Sequence, residues 1–414
     1  MKGVCVSILW VAGVCLYGQT SASTPLASLL DEARRNNPEI RASMHGAQAA
    51  THGAKQASAL PETQLMVQNL SVGSPKPLAG YTNSDFAYIG LGVAQEFPGP
   101  GKRGLRSQVA SAQADVMMAQ SESVSRIVLE QVKTAYFKLA YLQATLETLQ
   151  RDDKLLGEIE QITESRYRVG RGNQQEVLKA QLQHTKILQD ISMHHREQAE
   201  SQILLKRMLG RTQDSQDVIP EPLQQRPLPP SLGDLQRQAT QGNAEVKTRE
   251  LALRKTQLQT QLAHKEFSPD FGLQYMYQNT DRKFRDYYML TFSVTLPNRG
   301  RRNAELAEAS GMQKAAASEL EAEIQRRSAE INEQYVIAST AAEQLRIYRE
   351  GLIPQADATF RAGLAAYQSN RLEFEPVLSS FRDLLDFQEQ YERQLSEYET
   401  ALARIESLTG VTLP

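Results

Sequence analysis

The chain has 414 residues, 46 basic against 48 acidic side chains, a formal net charge of -2 and 41% hydrophobic residues. That balance excludes the strongly basic footprint of a nucleic-acid-binding protein. Beyond residue 22 no apolar run approaches the length of a transmembrane helix, so any membrane crossing must be made by a closed β-barrel.

Lys2 precedes an apolar run from Gly3 to Tyr17, and Thr20-Ser21-Ala22 offers a cleavage site. Residues 1–22 therefore read as a secretory signal peptide, too short to be a convincing span. Cys15 follows Val14 rather than a small residue, which argues against lipidation. Both cysteines and Trp10 fall inside this segment. The exported chain then has no disulfide, thiolate metal site or cysteine nucleophile.

Thr24-Pro25 predicts an N-cap and first-turn proline. A helix follows to about Arg35, pauses at Asn36-Asn37-Pro38 and resumes to about Ala59, where Leu60-Pro61 ends it. Leu65–Val72 is a poorly alternating strand, and 73–84 is a loop rich in Gly, Ser and Pro. Tyr88–Phe97 alternates clearly: Ile89, Leu91, Val93 and Phe97 against Gly90, Gly92 and Ala94. A basic turn, Pro98-Gly99-Pro100-Gly101-Lys102-Arg103, leads into an uninterrupted helical segment, 102–168. At 1.5 Å per residue such a helix spans about 100 Å, too long to fold back within a compact globule. After a break at Val169–Asn173, a return helix runs from about Gln174 to Leu209, and the Pro-rich linker 211–231 follows.

The pattern then repeats. Residues 26–40 lie on 232–246, residues 88–136 on 287–335 and residues 167–210 on 367–410, without gaps. Anchors include Asn37/Asn243, Pro98/Pro297, Tyr136/Tyr335, Tyr167/Tyr367 and Gly210/Gly410. The unit is too long for a solenoid repeat and reads as a duplicated half, 23–210 and 232–414. The second half has a hairpin at 271–296, with Tyr288, Leu290, Phe292, Val294 and Leu296 on one face, then a long helix, 302–366, and a return helix, 374–408. Pro354 should kink or interrupt that long helix. Tyr391, Leu395, Tyr398, Leu402 and Ile405 form a heptad seam on the return helix. The matching seam in the first half contains His195, Gln198 and Gln202, so the two return helices have different neighbours.

Four strands cannot close a barrel. Either the sheet belongs to an ordinary soluble α+β protein, or its apolar face meets lipid and several chains close the barrel. The basic residues after each hairpin suit a membrane surface or a solvated turn. No Ser/His/Asp order, Walker loop or dinucleotide fingerprint appears, so neither an enzyme nor a cofactor is expected. The six histidines, His45, His52, His184, His194, His195 and His264, lack metal-site spacing and read as surface residues.

This order of elements, twice over, resembles the TolC family of outer-membrane efflux channels. The marks are Phe97-Pro98 and Leu296-Pro297 with basic residues after them, Ala135-Tyr136-Phe137, Tyr167-Arg168-Val169-Gly170 with Val177-Leu178, and Leu408-Thr409-Gly410. The resemblance implies a mainly α fold with β: a homotrimeric twelve-stranded outer-membrane barrel continued by an α-helical periplasmic tunnel. It implies partners as well, namely outer-membrane lipid, a periplasmic adaptor and an inner-membrane pump, with no nucleic acid. Ile89, Leu91, Val93, Tyr288, Leu290, Phe292 and Val294 would face lipid.

The two breaks would be the periplasmic aperture, comprising Tyr167, Gly170, Arg171, Glu176, Tyr367, Asn370, Arg371, Glu373 and Glu375. Tyr367 matches the family's tip tyrosine and Glu176 an acidic family position. The family's following arginine and acidic positions fall at Leu372 and Pro376, and Arg371, Glu373 and Glu375 are adjacent substitutes. A glutamate from every subunit would form a ring that favours cations. Gln95–Lys102 is most similar to the heavy-metal (Czc/Cus-type) branch, which implies heavy-metal cargo and an RND-type pump. Drug efflux, type I secretion, a periplasmic adaptor and a purely structural coiled coil are the competing readings.

Overall fold

The computed structural model describes residues 23–71, 87–229, 231–280 and 285–413. The expected signal segment 1–22, the loop 73–84, Val72 and Pro230 lie outside the described residues.

Chain order is α1 (Leu26–Asn36), α2 (Pro38–Ser58), β1 (Gln64–Leu70), β2 (Tyr88–Phe97), α3 (Lys102–Arg168) and α4 (Gln174–Leu209). The second half repeats it as α5 (Leu232–Gly242), α6 (Ala244–Lys265), β3 (Asp270–Asn279), β4 (Asp286–Thr295), α7 (Arg299–Ile347), α8 (Ile353–Gln368) and α9 (Phe374–Thr409). The duplication is physical as well as textual. Asn37 caps α2 by accepting from the backbone N–H groups of Glu39 (2.8 Å) and Ile40 (3.1 Å), and its amide donates to the Met208 carbonyl (2.8 Å). Asn243 does the same for α6 through Glu245 (2.9 Å), Val246 (3.0 Å) and the Leu408 carbonyl (2.9 Å). Each asparagine thus starts one helix and closes the end of another.

Two cores repeat the same logic. Leu29, Ala33, Val132 and Leu205 are buried in the first; Leu235, Ala239, Ile331 and Ile405 are buried in the second. The heptad seam of α9 is buried from Leu395 to Ile405. Its polar counterpart on α4 has a reason: Gln202 donates to the Val218 carbonyl (2.7 Å) and accepts from the Val218 N–H (3.0 Å). A glutamine there holds linker backbone instead of a helix.

Two expectations shift and one is refined. The first helix begins at Leu26 with Pro25 as its N-cap residue, not Thr24. Thr24 is spent on the linker, its N–H donating to the Ile219 carbonyl (2.7 Å) while its own carbonyl accepts from the Tyr136 hydroxyl (3.0 Å). Pro354 interrupts the α-helix rather than ending it. A π-helical turn, Tyr348–Leu352, precedes it, and the Ile353 N–H reaches the Tyr348 carbonyl five residues back. The wider turn accommodates a proline that offers no N–H. The basic turn before α3 is neither solvated nor lipid-facing at its centre. Lys102 is 1% exposed and pairs with Asp270 (2.9 Å) and Glu266 (3.1 Å). Arg106 (2.8 Å) and Arg302 (3.5 Å) also reach Glu266, while Arg103 donates to the Ser58 carbonyl. The turn is the joint that fastens sheet to helices.

The four strands form one antiparallel sheet in the order β1-β2-β3-β4. Register sets Leu65 beside Val93, Val93 beside Tyr275, and Tyr275 beside Leu290. One face is therefore a continuous apolar and aromatic band. Leu65, Val67, Leu91, Val93, Phe97, Leu273, Tyr275, Tyr288, Leu290, Phe292 and Val294 are all exposed on it, and Ile89 is half-buried. The other face is close-packed at its centre, where a Cβ at Gly92 would lie 2.9 Å from the Met276 side chain, and exposed along β4 at Thr291 and Thr295. Each large apolar side chain removed from water is worth about 1.5–3 kcal/mol. A band of this size left in water forgoes on the order of 10 kcal/mol, comparable with the whole stability of a typical domain. That cost argues against a sheet whose band is left in water.

Leu290→Arg is expected to prevent membrane assembly, since a charge at the lipid midplane costs about 2–4 kcal/mol. Thr291→Arg, on the opposite face, should be tolerated. A fully assembled Leu290→Arg protein in the membrane fraction would show that the band meets water.

Candidate functional site

At the ends opposite the sheet, α3 turns into α4 and α8 turns into α9. The two turns have one conformation. Gly170 and Asn370 adopt left-handed backbone, with φ of 70° and 60°. The next residue then closes the turn: the Arg171 N–H donates to the Arg166 carbonyl and the Arg371 N–H to the Ala366 carbonyl, each at 2.8 Å. Glycine adopts this conformation freely, and asparagine is among the few other residues that tolerate it. Asn173 then caps α4 by accepting from the Glu176 N–H (2.9 Å).

The two hairpins are packed together by Leu156, Ile159, Ala180, Ile187, Phe360, Phe374, Val377 and Phe381. Tyr367 lies in this core, fully buried, its ring 5.4 Å from that of Phe374. Its hydroxyl donates to Glu176 Oε2 (2.8 Å), tying the second hairpin to the first. Burial, reinforced by that carboxylate, raises the phenol pKa well above its usual range, so the hydroxyl remains a donor.

Arg166 completes the junction. Its guanidinium lies 4.2 Å from the centroid of the Tyr367 ring. It donates to the Tyr367 carbonyl (2.7 Å), to Asn370 Oδ1 (2.7 Å) and to the Arg171 carbonyl (3.1 Å). One side chain thereby holds both turns through planar, multidentate contacts that lysine cannot reproduce. Sequence reasoning missed it. The available signal was the asymmetry of the repeat, in which Arg166 stands where the second half has Ala366.

Of the expected tip residues, Tyr367, Asn370 and the Arg171 carbonyl meet Arg166 directly, and Glu176 joins them through the Tyr367 hydroxyl. Glu375 joins a second link, paired with Lys179 across the hairpins and with Arg382 (3.4 Å). Tyr167 is about half exposed and stands apart from the junction. The side chains of Arg171, Arg371 and Glu373 are exposed and have no partner among the described residues.

Higher on the first hairpin, His184 is not a free surface histidine. Its two ring nitrogens meet Glu160 Oε2 (2.9 Å) and Asp153 Oδ1 (3.0 Å), joining α4 to α3. The carboxylates approach opposite nitrogens, so one metal ion cannot reach all three groups. Among the described residues no His, Cys, Asp and Glu group is arranged to hold a metal. Satisfying both carboxylates requires the doubly protonated imidazolium. The hydrogen bond to Glu160, and the charge of Asp153 beside it, raise the His184 pKa against a smaller opposing effect of burial.

A lipid-facing sheet carried on two long helical hairpins with interlocked tips defines the subunit of a membrane channel. The chain matches the family model described as outer membrane efflux protein over residues 29–211 and 235–411, one stretch in each repeat, and it belongs to that family. Members are channels of the outer membrane that extend into the periplasm, not enzymes. Among solved structures, the outer-membrane channel OprN superposes with a TM-score of 0.80 at 16% identity, covering 94% of this chain and 91% of that one. The outer membrane protein VceC from Vibrio cholerae gives 0.78 at 18%, covering 93% and 96%. CusC, described with its transmembrane channel formation, gives 0.78 at 17%, covering 93% and 91%. No curated protein sequence matches the chain.

Arg166→Ala is expected to cost about 2–3 kcal/mol, since it strips donors from two carbonyls and an amide and removes the ring contact. Tyr367→Phe, which deletes one hydrogen bond to a carboxylate, should cost about 1–2 kcal/mol. Thermal unfolding in detergent checks the order, and a larger loss for Tyr367→Phe would place the lock in the phenol instead.

The His184 pKa is raised above its ordinary 6.5 in the folded chain. Its contribution to stability is therefore fully present below that value and is lost as pH rises through the folded pKa. The melting-temperature gap between wild type and His184→Gln should hold below pH 6.5 and shrink as pH rises above it through the raised folded pKa. A gap that does not change with pH would show that the contact is not ionic.

Proposed function

We propose that the chain is the outer-membrane duct of a tripartite efflux assembly. Three copies close a twelve-stranded barrel, their helices continue it as a tunnel across the periplasm, and the tips receive a periplasmic adaptor and an inner-membrane pump. The observation that carries this reading is a two-edged sheet with an apolar outer face. Among the described residues, β1 and β4 each pair on one side only. The strands alternate in direction, so β4 of one copy meets β1 of the next antiparallel, and three copies leave no open edge in lipid. The duct is passive, and the pump supplies the energy.

The aperture is the ring of tips. Its lock within each chain is Arg166 with Tyr367 and Glu176, seconded by Lys179 and Glu375. Tyr167, Gly170, Arg171, Asn370, Arg371 and Glu373 border the opening.

Support for heavy-metal cations and an RND-type pump comes from the resemblance of Gln95–Lys102. Within the fold, that stretch ends at the sheet–helix joint, where Gly99 donates to Asp270 (2.7 Å) and Lys102 is clamped. Of the tip glutamates expected to favour cations, Glu176, bonded to the Tyr367 hydroxyl, keeps its charge, while Glu375 is neutralised by Lys179 and Arg382. This pairing favours a second reading, a duct for organic compounds or secreted protein handed over by the pump.

Heat-stable trimers are expected in the outer-membrane fraction, and they should conduct in planar bilayers. Tyr367→Ala should raise single-channel conductance by loosening the tip. Soluble monomers would sink the duct, and unchanged conductance would remove Tyr367 from the aperture. Gene deletion should then give hypersensitivity either to metal ions alone or to dyes, detergents and antibiotics, which separates the two cargo readings.

A further inference from the structure

The free charges at the tips are unevenly distributed. Residues 164–179 and 364–382 hold six basic side chains against four acidic ones. The pairing described above leaves the excess outermost. Glu375 is neutralised by Lys179 and Arg382, whereas Glu176 accepts only from the neutral Tyr367 hydroxyl and, at 3.4 Å, the Asn173 amide, and keeps its charge inside the junction. Arg166 donates only to neutral groups in the junction and keeps its charge there, and Arg168 makes a single 3.5 Å contact with the Ser165 hydroxyl. The exposed side chains without a partner among the described residues are Arg171, Arg371 and Glu373, and the half-buried Glu164 is unpaired as well.

Arg171 and Arg371 are also equivalent. Each directly follows the left-handed residue of its turn, and each closes that turn with the same 2.8 Å backbone hydrogen bond. The repeat thus sets one guanidinium at the apex of each hairpin. In the trimeric duct, on which this inference rests, three chains place six of them around the aperture. Guanidinium groups stay protonated at any physiological pH. The Debye length near physiological salt is about 8 Å, so a permeating ion senses this rim more strongly than charges farther up the helices. Rings of arginine or lysine bias pores toward anions.

We propose that Arg171 and Arg371 form a charge filter at the tips, so that anionic cargo passes the aperture more readily than cationic cargo. A local potential of about 1 kT would enrich a monovalent anion over a monovalent cation about sevenfold.

The test uses purified wild-type trimers in a planar bilayer under a potassium chloride gradient, read by reversal potential. Chloride should be favoured several-fold. The double substitution R171Q/R371Q should bring the ratio toward that of free diffusion, and R171E/R371E should turn it to potassium. A conducting pore that prefers potassium, or one whose preference survives R171E/R371E, overturns the filter and leaves the duct standing. Trimers with no conductance remove the duct and the filter with it. The wild-type measurement decides the sign even where a variant fails to assemble.

Discussion

Hydrocarbon offers no partner to a backbone N–H or carbonyl, and the architecture of this chain follows from that constraint. Its sheet of four strands has an apolar band on one face and two unpaired edges, so it is incomplete alone. Completion demands other copies, and their strands must arrive at a fixed tilt and height. The joint around Lys102 meets this demand. Two carboxylates from the second half hold a buried ammonium from the first, and two arginines brace the same cluster. Burying such a network gains little net stability over an apolar core, but it fixes where strand ends and helix begins. Errors at that point would be magnified along helices as long as α3.

Much of the fold was legible because duplication lets each half corroborate the other. Tyr88–Phe97 declares itself by strict alternation, and β1, which does not, was recognisable through its partner in the second half. Asn37 and Asn243 stood out as repeated residues before proline or alanine, and both proved to be caps. What stayed hidden depends on tertiary charge. Lys102 in a Gly/Pro-rich turn has the composition of a solvated loop, and nothing local reveals that Glu266 and Asp270 are waiting for it. His184 was equally opaque, since its carboxylates lie 24 and 31 residues away on another helix.

The tips show the same limit more sharply. The sequence pointed to Tyr367 and Glu176, and the fold joins them. It could not weigh Arg166, because one more arginine among several near a helix end carries no periodicity. The glutamates first suggested a cation-favouring rim. Ion pairing weakens that contribution for Glu375, which Lys179 and Arg382 neutralise, whereas Glu176, bonded to a neutral phenol, keeps its charge. Charge composition is readable from a sequence; which charges are left over is a property of the fold.

The π-helical turn at Tyr348–Leu352 has a consequence for phase. It inserts one residue into an otherwise α-helical rod, and every side chain below it is rotated by about 100° relative to an unbroken helix. Tyr367 sits about 25 Å farther down the same rod. Loss of one residue there would leave a smoother helix and every side chain below it unchanged in identity, yet would swing that tyrosine out of the core and away from Glu176. The azimuth of the tip is set by a dislocation several turns above it, so the proline that tolerates the wide turn helps aim the tip as well as the helix it begins.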